Sequence, residues 1–180
     1  MEKILVINSS PRKNGNSEIL CDRLIEGAES KGACCEKINL REMNIGYCIG
    51  CDACRRNDGT CVIKDDMEWI FQKMLAADIV VFSTPVYFFT LSAQLKTLID
   101  RLHNGYKKMA GKKFCFIAAV SVPEPERLER TFDSMRGLLD CIPDSEELGV
   151  VCGNNAWLAG EVKATKAYDE AYELGARIAE

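Results

Sequence analysis

The residues with the most reactive chemistry are four cysteines in the stretch YCIGCDACRRNDGTC: Cys48, Cys51, Cys54 and Cys61. Their spacing, C-x2-C-x2-C-x6-C, is compatible with four kinds of site. These are a disulfide knot, a zinc site, a redox-active thiol group, and the ligand set of an iron–sulfur cluster. The rest of the chain has to decide between them.

Composition favours a cytoplasmic protein with free thiols. The 180 residues, 47% hydrophobic and 28% charged, suit a single domain over residues 1–180. The formal net charge of -4 gives no reason to expect nucleic acid or an anionic membrane as partner. No apolar run approaches the roughly 20 residues that cross a bilayer, and the start lacks the layout of a secretion signal. In a reducing compartment, the ten cysteines are not expected to form disulfides.

The cysteine spacing favours a cluster over zinc without excluding it. The only histidine, His103, lies far along the chain, so a Cys/His zinc site is disfavoured. A zinc knot made of all four cysteines and a group of redox-active thiols remain as alternatives. A C-x2-C-x2-C run can wrap three thiolates around one face of a cubane. Cys61 can return to the same cluster, and Gly50 and Gly59 give the loop backbone freedom. Elsewhere, Cys115 and Cys152 lie in apolar runs and are expected to be core residues.

Apolar patterning predicts alternating strands and helices. The predicted strands cover residues 3–8, 34–40, 78–85, 112–121 and 147–153. The first predicted helix covers about 17–31 with Ser17 as its N-cap, and the second begins after Asp65 or Asp66 as its cap. The remaining predicted helices cover residues 91–102, 125–140 and about 161–178. Most of the strands are apolar on both faces, as in a parallel sheet covered by helices on both sides. We therefore expect an α/β three-layer sandwich with strand order 2-1-3-4-5 and a cysteine-rich loop at about 46–64.

The loop after the first strand, SSPRKNGNS, suits a phosphate group. Ligands of such sheets bind at the carboxyl ends of the strands, and this loop leads into a helix N-terminus, which favours an anion. It offers hydroxyl, amide and guanidinium groups from Ser10, Arg12, Asn14, Asn16 and Ser17. Neither G-x-G-x-x-G nor G-x-x-x-x-G-K-[ST] is present, which argues against a dinucleotide or nucleoside triphosphate site. A polar loop that only caps the helix is the alternative.

The loop after the third strand, TPVYFF, places three aromatic residues in a row at a strand end. Such residues would suit a flat, partly apolar ring beside the phosphate site, because a loop rarely exposes several aromatics without a partner. A loop tucked into the core or into a dimer interface is the alternative. Together the two loops imply a ligand with a phosphate at one end and an aromatic ring at the other.

Three segments in this order, INSSPRKNGNS, CIGCDACRRNDGTCVIKDDM and STPVYFFTLSAQLKTLIDR, resemble the flavodoxin-like NAD(P)H-dependent FMN reductase family. Within it, the iron–sulfur flavoproteins are most similar. The resemblance implies FMN, with its phosphate surrounded by the five loop residues named above. It implies that the isoalloxazine ring is lined by Pro85, Val86, Tyr87 and Phe88. Ser121, after the fourth strand, is expected along the flavin edge, where the family often has a glycine-rich turn.

The resemblance also implies a 4Fe-4S cluster held by the four clustered cysteines, and electron transfer between it and FMN. It implies NAD(P)H or a ferredoxin-type protein as electron donor, a small molecule or protein as acceptor, and a homodimer or homotetramer. No catalytic side chain is expected, because the flavin carries the chemistry. Two alternatives are a cluster-free NAD(P)H-dependent FMN or quinone reductase and a non-enzymatic flavodoxin-like carrier or redox sensor.

Overall fold

A computed structural model describes all 180 residues and contains one five-stranded sheet. The strands are β1 (Lys3–Asn8), β2 (Cys34–Asn39), β3 (Ile79–Pro85), β4 (Lys113–Ala119) and β5 (Glu146–Gly153). Every neighbouring pair is parallel, and the order is β2-β1-β3-β4-β5. The predicted three-layer fold and strand order are confirmed.

Six helices connect and cover the strands. They are α1 (Asn16–Glu29), α2 (Ala53–Arg56), α3 (Met67–Ala76), α4 (Ala93–Arg101), α5 (Glu129–Leu139) and α6 (Ala167–Ile178). The one-turn helix α2, inside the cysteine loop, was not predicted. The predicted starts of the last two helices are wrong, because residues 125–128 and 161–164 form 3-10 turns before α5 and α6. No helix is both long and apolar enough to span a membrane.

The predicted N-cap of α1 is wrong. Gly15, in an extended conformation, precedes the helix, and Ser17 lies inside its first turn. The Glu18 carboxylate accepts the backbone N–H of Asn14 at 2.7 Å, much as the acidic residue of a capping box does. At α4 the cap is a serine side chain, because Ser92 Oγ accepts the N–H of Leu95.

Two apolar cores lie on opposite faces of the sheet. Along β1, Leu5 and Ile7 enter the larger core with α3, α4 and α5, whereas Ile4 and Val6 enter the smaller core with α1 and α6. This alternation follows from the period of two along a strand. Burial of each large apolar side chain contributes about 1.5–3 kcal/mol. Cys115 is buried, as predicted, while Cys152 is only half-buried.

Helices α1 and α6 approach unusually closely. A Cβ atom on Gly27 would lie 2.1 Å from the carbonyl oxygen of Tyr172, and one on Gly175 would lie 2.0 Å from that of Leu24. Only glycine lets the two backbones meet at these points. This contact holds α6, the last element of the chain, against the helix that begins at the phosphate loop.

Candidate functional site

An open cleft lies at the carboxyl ends of the strands. Its volume is about 180 Å³, less than the roughly 300–1,000 Å³ of an enclosed small-molecule pocket, because one side is open to solvent. Eight of the ten predicted cofactor-binding residues line it: Ser10, Arg12, Asn16, Ser17, Pro85, Val86, Tyr87 and Ser121. Two do not, Asn14 and Phe88. The cleft also includes Gly15, Ala119, Val120, Ala156 and Trp157, which the sequence reasoning did not assign.

The phosphate end of the cleft has unused hydrogen-bond donors. The first N–H groups of α1 have no carbonyl partner within the helix, and no other protein group accepts the N–H of Ser17. The Arg12 guanidinium is exposed and forms no ion pair with a carboxylate. These donors and the positive end of the helix dipole suit a dianionic phosphate.

The loop that presents these donors has a fixed shape. Asn14 carries the left-handed backbone conformation, with φ 58°, whereas Gly15 has an ordinary φ of -70°. Gly15 is needed for space, because a Cβ there would lie 2.9 Å from Ser10 Oγ. Asn14 is not among the residues that line the cleft, and its contact with phosphate stays a prediction.

Glu18 lies beneath this loop and is neutralised by an arginine. Arg41 Nη1 and Nη2 each donate to its carboxylate at 3.0 Å. Burial alone would raise the pKa of Glu18, but the hydrogen bonds from Arg41 and from the Asn14 N–H outweigh it and hold that pKa below its ordinary value. The carboxylate thus fixes the loop without adding a net negative charge beside the anion site.

Asn16 lines the cleft, but its side chain holds another loop. Its Nδ2 donates to the carbonyls of Ala156 and Leu158 at 3.1 and 2.9 Å. Its Oδ1 accepts the N–H groups of Gly160 and Val162 at 2.9 and 3.5 Å. The amide is therefore committed to the turn after β5, and only the backbone of Asn16 is free to face a ligand. This turn carries Trp157 into the cleft.

Buried hydroxyl groups join the cleft loops. Ser9 Oγ donates to the carbonyl of Ser83 at 2.8 Å and accepts from Ser92 Oγ at 2.9 Å. Thr84 Oγ1 accepts the N–H of Ser92 at 2.9 Å. The loops after β1 and β3 and the start of α4 are thus one hydrogen-bonded unit, which makes the cleft rigid.

The aromatic loop forms a strained turn at the rim. Tyr87 and Thr90 exchange both backbone hydrogen bonds, at 3.0 and 3.1 Å, across Phe88 and Phe89. Both phenylalanines have positive φ, 51° and 60°, in a turn that normally takes Asn or Gly. Phe88 is fully exposed. Tyr87 lines the cleft and Phe88 does not, so the contact of Phe88 with the flavin ring stays a prediction.

The five cleft residues that the sequence did not predict include four at the carboxyl ends of β4 and β5. Ala119, Val120 and Ser121 follow β4, and Ala156 and Trp157 follow β5. The only sequence signal for them is their position at a strand end, which topology makes part of the same edge. Polar donors at one end and an apolar and aromatic wall at the other fit the phosphate and the ring of FMN.

A second cleft contains the cysteine loop. All four clustered cysteines line it, together with Asp52, Arg101 and His103 among others. Gly50 N–H donates to Cys48 Sγ at 3.5 Å, a type of bond common around cluster thiolates. Gly59, with φ 86°, lies against the carbonyl of Asn104, where a Cβ would be only 2.7 Å away.

The thiols share the cleft but are not gathered around one point. No three His, Cys, Asp or Glu side chains of the chain are grouped so that they could hold one metal ion. Mononuclear zinc needs all of its ligands within about 2.3 Å of one centre. A 4Fe-4S cubane likewise takes four thiolates arranged around one cluster, so the cysteines of this cleft supply the donor type and number for either group, and their positions do not decide between the two.

A buried ion pair closes the base of the cysteine loop. Arg101 Nη1 and Nη2 donate to Asp65 Oδ2 and Oδ1 at 2.7 and 3.0 Å, and Nη1 also donates to the carbonyl of Gly46. Both side chains are almost fully buried, at 2% and 4% exposure. Burial lowers the pKa of Arg101. The hydrogen bonds and charge of the Asp65 carboxylate, followed by the Cys61 thiol, outweigh burial and raise that pKa above its ordinary value.

Comparison with known proteins places the chain in a family. A family model described as NADPH-dependent FMN reductase matches residues 2–131, well over half of the chain. The chain belongs to the NADPH-dependent FMN reductase family. It is therefore a flavin-dependent oxidoreductase, and FMN is the cofactor that this family uses. The expected family is confirmed.

Individual relatives place the chain close to the iron–sulfur flavoproteins. An iron-sulfur flavoprotein of Archaeoglobus fulgidus is 30% identical over 181 residues, covering 99% of this chain and 79% of the relative. An iron-sulfur flavoprotein of Methanocaldococcus jannaschii is 39% identical over 99 residues, covering 55% of this chain and 51% of the relative. The match thus spans only about half the length of some curated relatives.

Solved structures share the fold. The NAD(P)H:quinone oxidoreductase from Methanothermobacter marburgensis superposes with a TM-score of 0.75 at 17% identity. The superposition covers 99% of this chain and 98% of the other chain. A flavone reductase superposes with a TM-score of 0.74 at 22% identity, covering 98% of this chain and 62% of the other. At such identities the likeness concerns the fold.

Proposed function

We propose that this FMN reductase family member is an iron–sulfur flavoprotein that passes electrons between FMN and a 4Fe-4S cluster. The observation that carries the proposal is that all four clustered cysteines line a single cleft. The names of relatives such as the Archaeoglobus fulgidus protein support it. FMN supplies hydride and single-electron chemistry when bound, and the cluster supplies single-electron exchange.

The flavin is proposed to lie in the cleft at the strand ends. Its phosphate would be bound by Arg12, the hydroxyl of Ser17 and the free N–H groups of α1. The Ser10 hydroxyl donates to the carbonyl of Arg12 at 3.1 Å and would have to turn from it to join them. Asn16 would contribute through its backbone, since its amide is already satisfied. The ring would lie against Pro85, Val86, Tyr87, Ser121 and Trp157. These groups bind and orient the cofactor, and none is proposed to transfer protons.

The cluster is proposed to bind Cys48, Cys51, Cys54 and Cys61. Helix α4 supports this arrangement because it links the loops of one cleft to the other cleft. Its first turn is joined to the flavin loops through Ser92 and Ser9, and its last residue, Arg101, lines the cysteine cleft. Nine residues of α-helix span roughly 14 Å. The two cofactor sites of one chain would therefore be held at a fixed separation.

NAD(P)H or a ferredoxin-type protein is proposed as electron donor, and a small molecule or protein as acceptor. We further propose a single flavin-binding domain that assembles as a homodimer or homotetramer in the cytoplasm. The exposed rings of Phe88 and Trp157 beside the flavin cleft support such assembly, because large aromatics are enriched in protein interfaces.

The experiment that tests the proposal is anaerobic purification followed by analysis of iron, sulfide, zinc and FMN. We expect about four irons and four sulfides per FMN. Serine variants of the four clustered cysteines should lose iron and keep FMN, whereas Cys34→Ser and Cys141→Ser, which change exposed thiols elsewhere, should keep both. A protein with FMN, no iron and fast steady NAD(P)H oxidation would support the cluster-free reductase instead.

A further inference from the structure

We propose that Arg101 is a positioning residue of the cysteine cleft: it holds the loop that carries Cys61 in place and sets the electrostatic environment of the cluster. This inference rests on the proposed function, because it assigns a role toward the 4Fe-4S cluster. It goes beyond that function by naming a residue outside the cysteine motif, 40 positions after Cys61 in the chain.

The first observation is how many parts of the loop the pair joins. Arg101 donates to the carbonyl of Gly46, just before the cysteines. Asp65 accepts the N–H of Gly46 at 2.8 Å and the N–H of Met67, the first residue of α3, at 3.1 Å. The two ends of the cysteine loop are thus fastened to each other and to α4 through one bidentate ion pair.

The second observation is an unsatisfied donor. The Nε of Arg101 is buried and has no acceptor in the chain, which is uncommon for a buried N–H group. Arg101 and Cys61 line the same cleft. A cluster thiolate or sulfide is the acceptor class that this cleft would offer. Hydrogen bonds to sulfur and local net charge are the factors that tune cluster potentials.

The third observation is the charge balance. Asp65 is the direct partner of Arg101, so the pair is neutral as a whole. Removing the arginine leaves an extra negative charge beside the cleft, and removing the aspartate charge leaves an extra positive one. An added negative charge disfavours the reduced, more negative cluster, and an added positive charge favours it. The two changes therefore shift the midpoint potential in opposite directions, which a purely structural role would not produce.

The test compares Arg101→Gln and Asp65→Asn with Arg136→Gln in the FMN-loaded, anaerobically purified protein. Arg136 is a matched control, because it forms a bidentate pair with Glu147 at 2.7 and 3.0 Å, away from the cysteine loop. The readouts are iron per FMN, the rate of iron release to a chelator, and the cluster midpoint potential. FMN content reports folding.

We expect Arg101→Gln to release iron roughly tenfold faster or more and to lower the cluster potential. Asp65→Asn should raise the potential, and Arg136→Gln should match the wild type. Complete loss of iron from Arg101→Gln with FMN retained would also support the proposal. If Arg101→Gln does not fold, the double variant Arg101→Met, Asp65→Leu replaces the pair with apolar groups and should still release iron faster than Arg136→Gln.

The inference is overturned if Arg101→Gln and Asp65→Asn behave like Arg136→Gln, or if both shift the potential in the same direction. Such a result in an iron-loaded wild type would leave the proposed function intact. A wild type without iron would overturn both.

Discussion

At the residue scale, eight of the ten predicted cofactor-binding residues line one cleft, but the side chains of some are bonded elsewhere. Asn16 was expected to bind phosphate with its amide, yet that amide makes four hydrogen bonds to the turn at 156–162. These partners lie about 140 residues away in the chain, so no local pattern could indicate them. Arg12 and Ser17 line the cleft, and their contact with phosphate stays a prediction.

Arg12→Ala tests the phosphate loop. A hydrogen bond to a charged group contributes about 1.5–3 kcal/mol, so we expect the Kd for FMN to rise roughly 10- to 100-fold in a flavin fluorescence titration. Lys13→Ala, which removes an adjacent exposed charge outside the cleft, is the control. Unchanged affinity in Arg12→Ala would remove Arg12 from the site.

Glu18 should make stability depend on acid pH. Because its folded pKa lies below the ordinary value of 4.5, its contribution is fully present above about pH 4.5 and is lost as pH falls through the folded pKa. Glu18→Gln should lower the free energy of unfolding by about 1–3 kcal/mol at pH 7 and reduce the loss on acidification.

Urea unfolding at pH 7 and pH 3 measures both effects. Glu42→Gln is the control, since Glu42 is an exposed partner of the same Arg41 and should change stability by less than about 1 kcal/mol. An equal pH dependence in Glu18→Gln and wild type would contradict the role of Glu18.

At the element scale, periodicity located all five strands and five of the six helices, but the last two helices begin four and six residues later than predicted, at Glu129 and Ala167. The helix boundaries were less accurate where tertiary contacts decide them. Glu18 rather than Ser17 satisfies a backbone group at the start of α1, and the carboxylate of Asp65, not that of Asp66, accepts the first N–H of α3. Helix α2 has only four residues, too short to leave a periodic pattern.

Helices α1 and α6 pack so closely that replacing glycine with alanine at their contact should destabilise the protein, although the same change inside a helix normally stabilises it. Gly175→Ala would push a Cβ into the carbonyl of Leu24, so we expect the free energy of unfolding to fall by about 1–3 kcal/mol. Gly137→Ala in α5, where the space is empty, should raise it by about 0.5–1 kcal/mol. Denaturation in urea measures both; stabilisation by Gly175→Ala would show that the helices can separate without cost.

At the scale of the whole molecule, the order β2-β1-β3-β4-β5 brings together loops that are distant in sequence. The sequence predicted this order, and with it the joining of the loops after β1 and β3. It could not predict the part played by Trp157, because that depends on how the turn after β5 is held by Asn16. Nor could it predict that Arg101 closes the cysteine loop, since an arginine at a helix end gives no sign of its partner.

The strained aromatic turn leads to a prediction about assembly. Phe88→Asn removes the fully exposed ring and introduces asparagine, which tolerates the positive φ of this position. We expect weaker self-association in sedimentation velocity, because an apolar ring that gains burial on assembly stabilises the interface. Gln72→Ala, at an exposed site on α3, is the control. Identical distributions for Phe88→Asn and wild type would exclude Phe88 from the interface.

The most direct test of the central claim, one FMN and one 4Fe-4S cluster exchanging electrons in this chain, is an anaerobic reductive titration of the purified protein followed by visible absorbance and electron paramagnetic resonance. The account predicts uptake of about three electrons per chain, two by the flavin and one by the cluster, with a paramagnetic cluster signal in the reduced protein. Uptake of only about two electrons by an FMN-loaded protein, with no cluster signal, would contradict it.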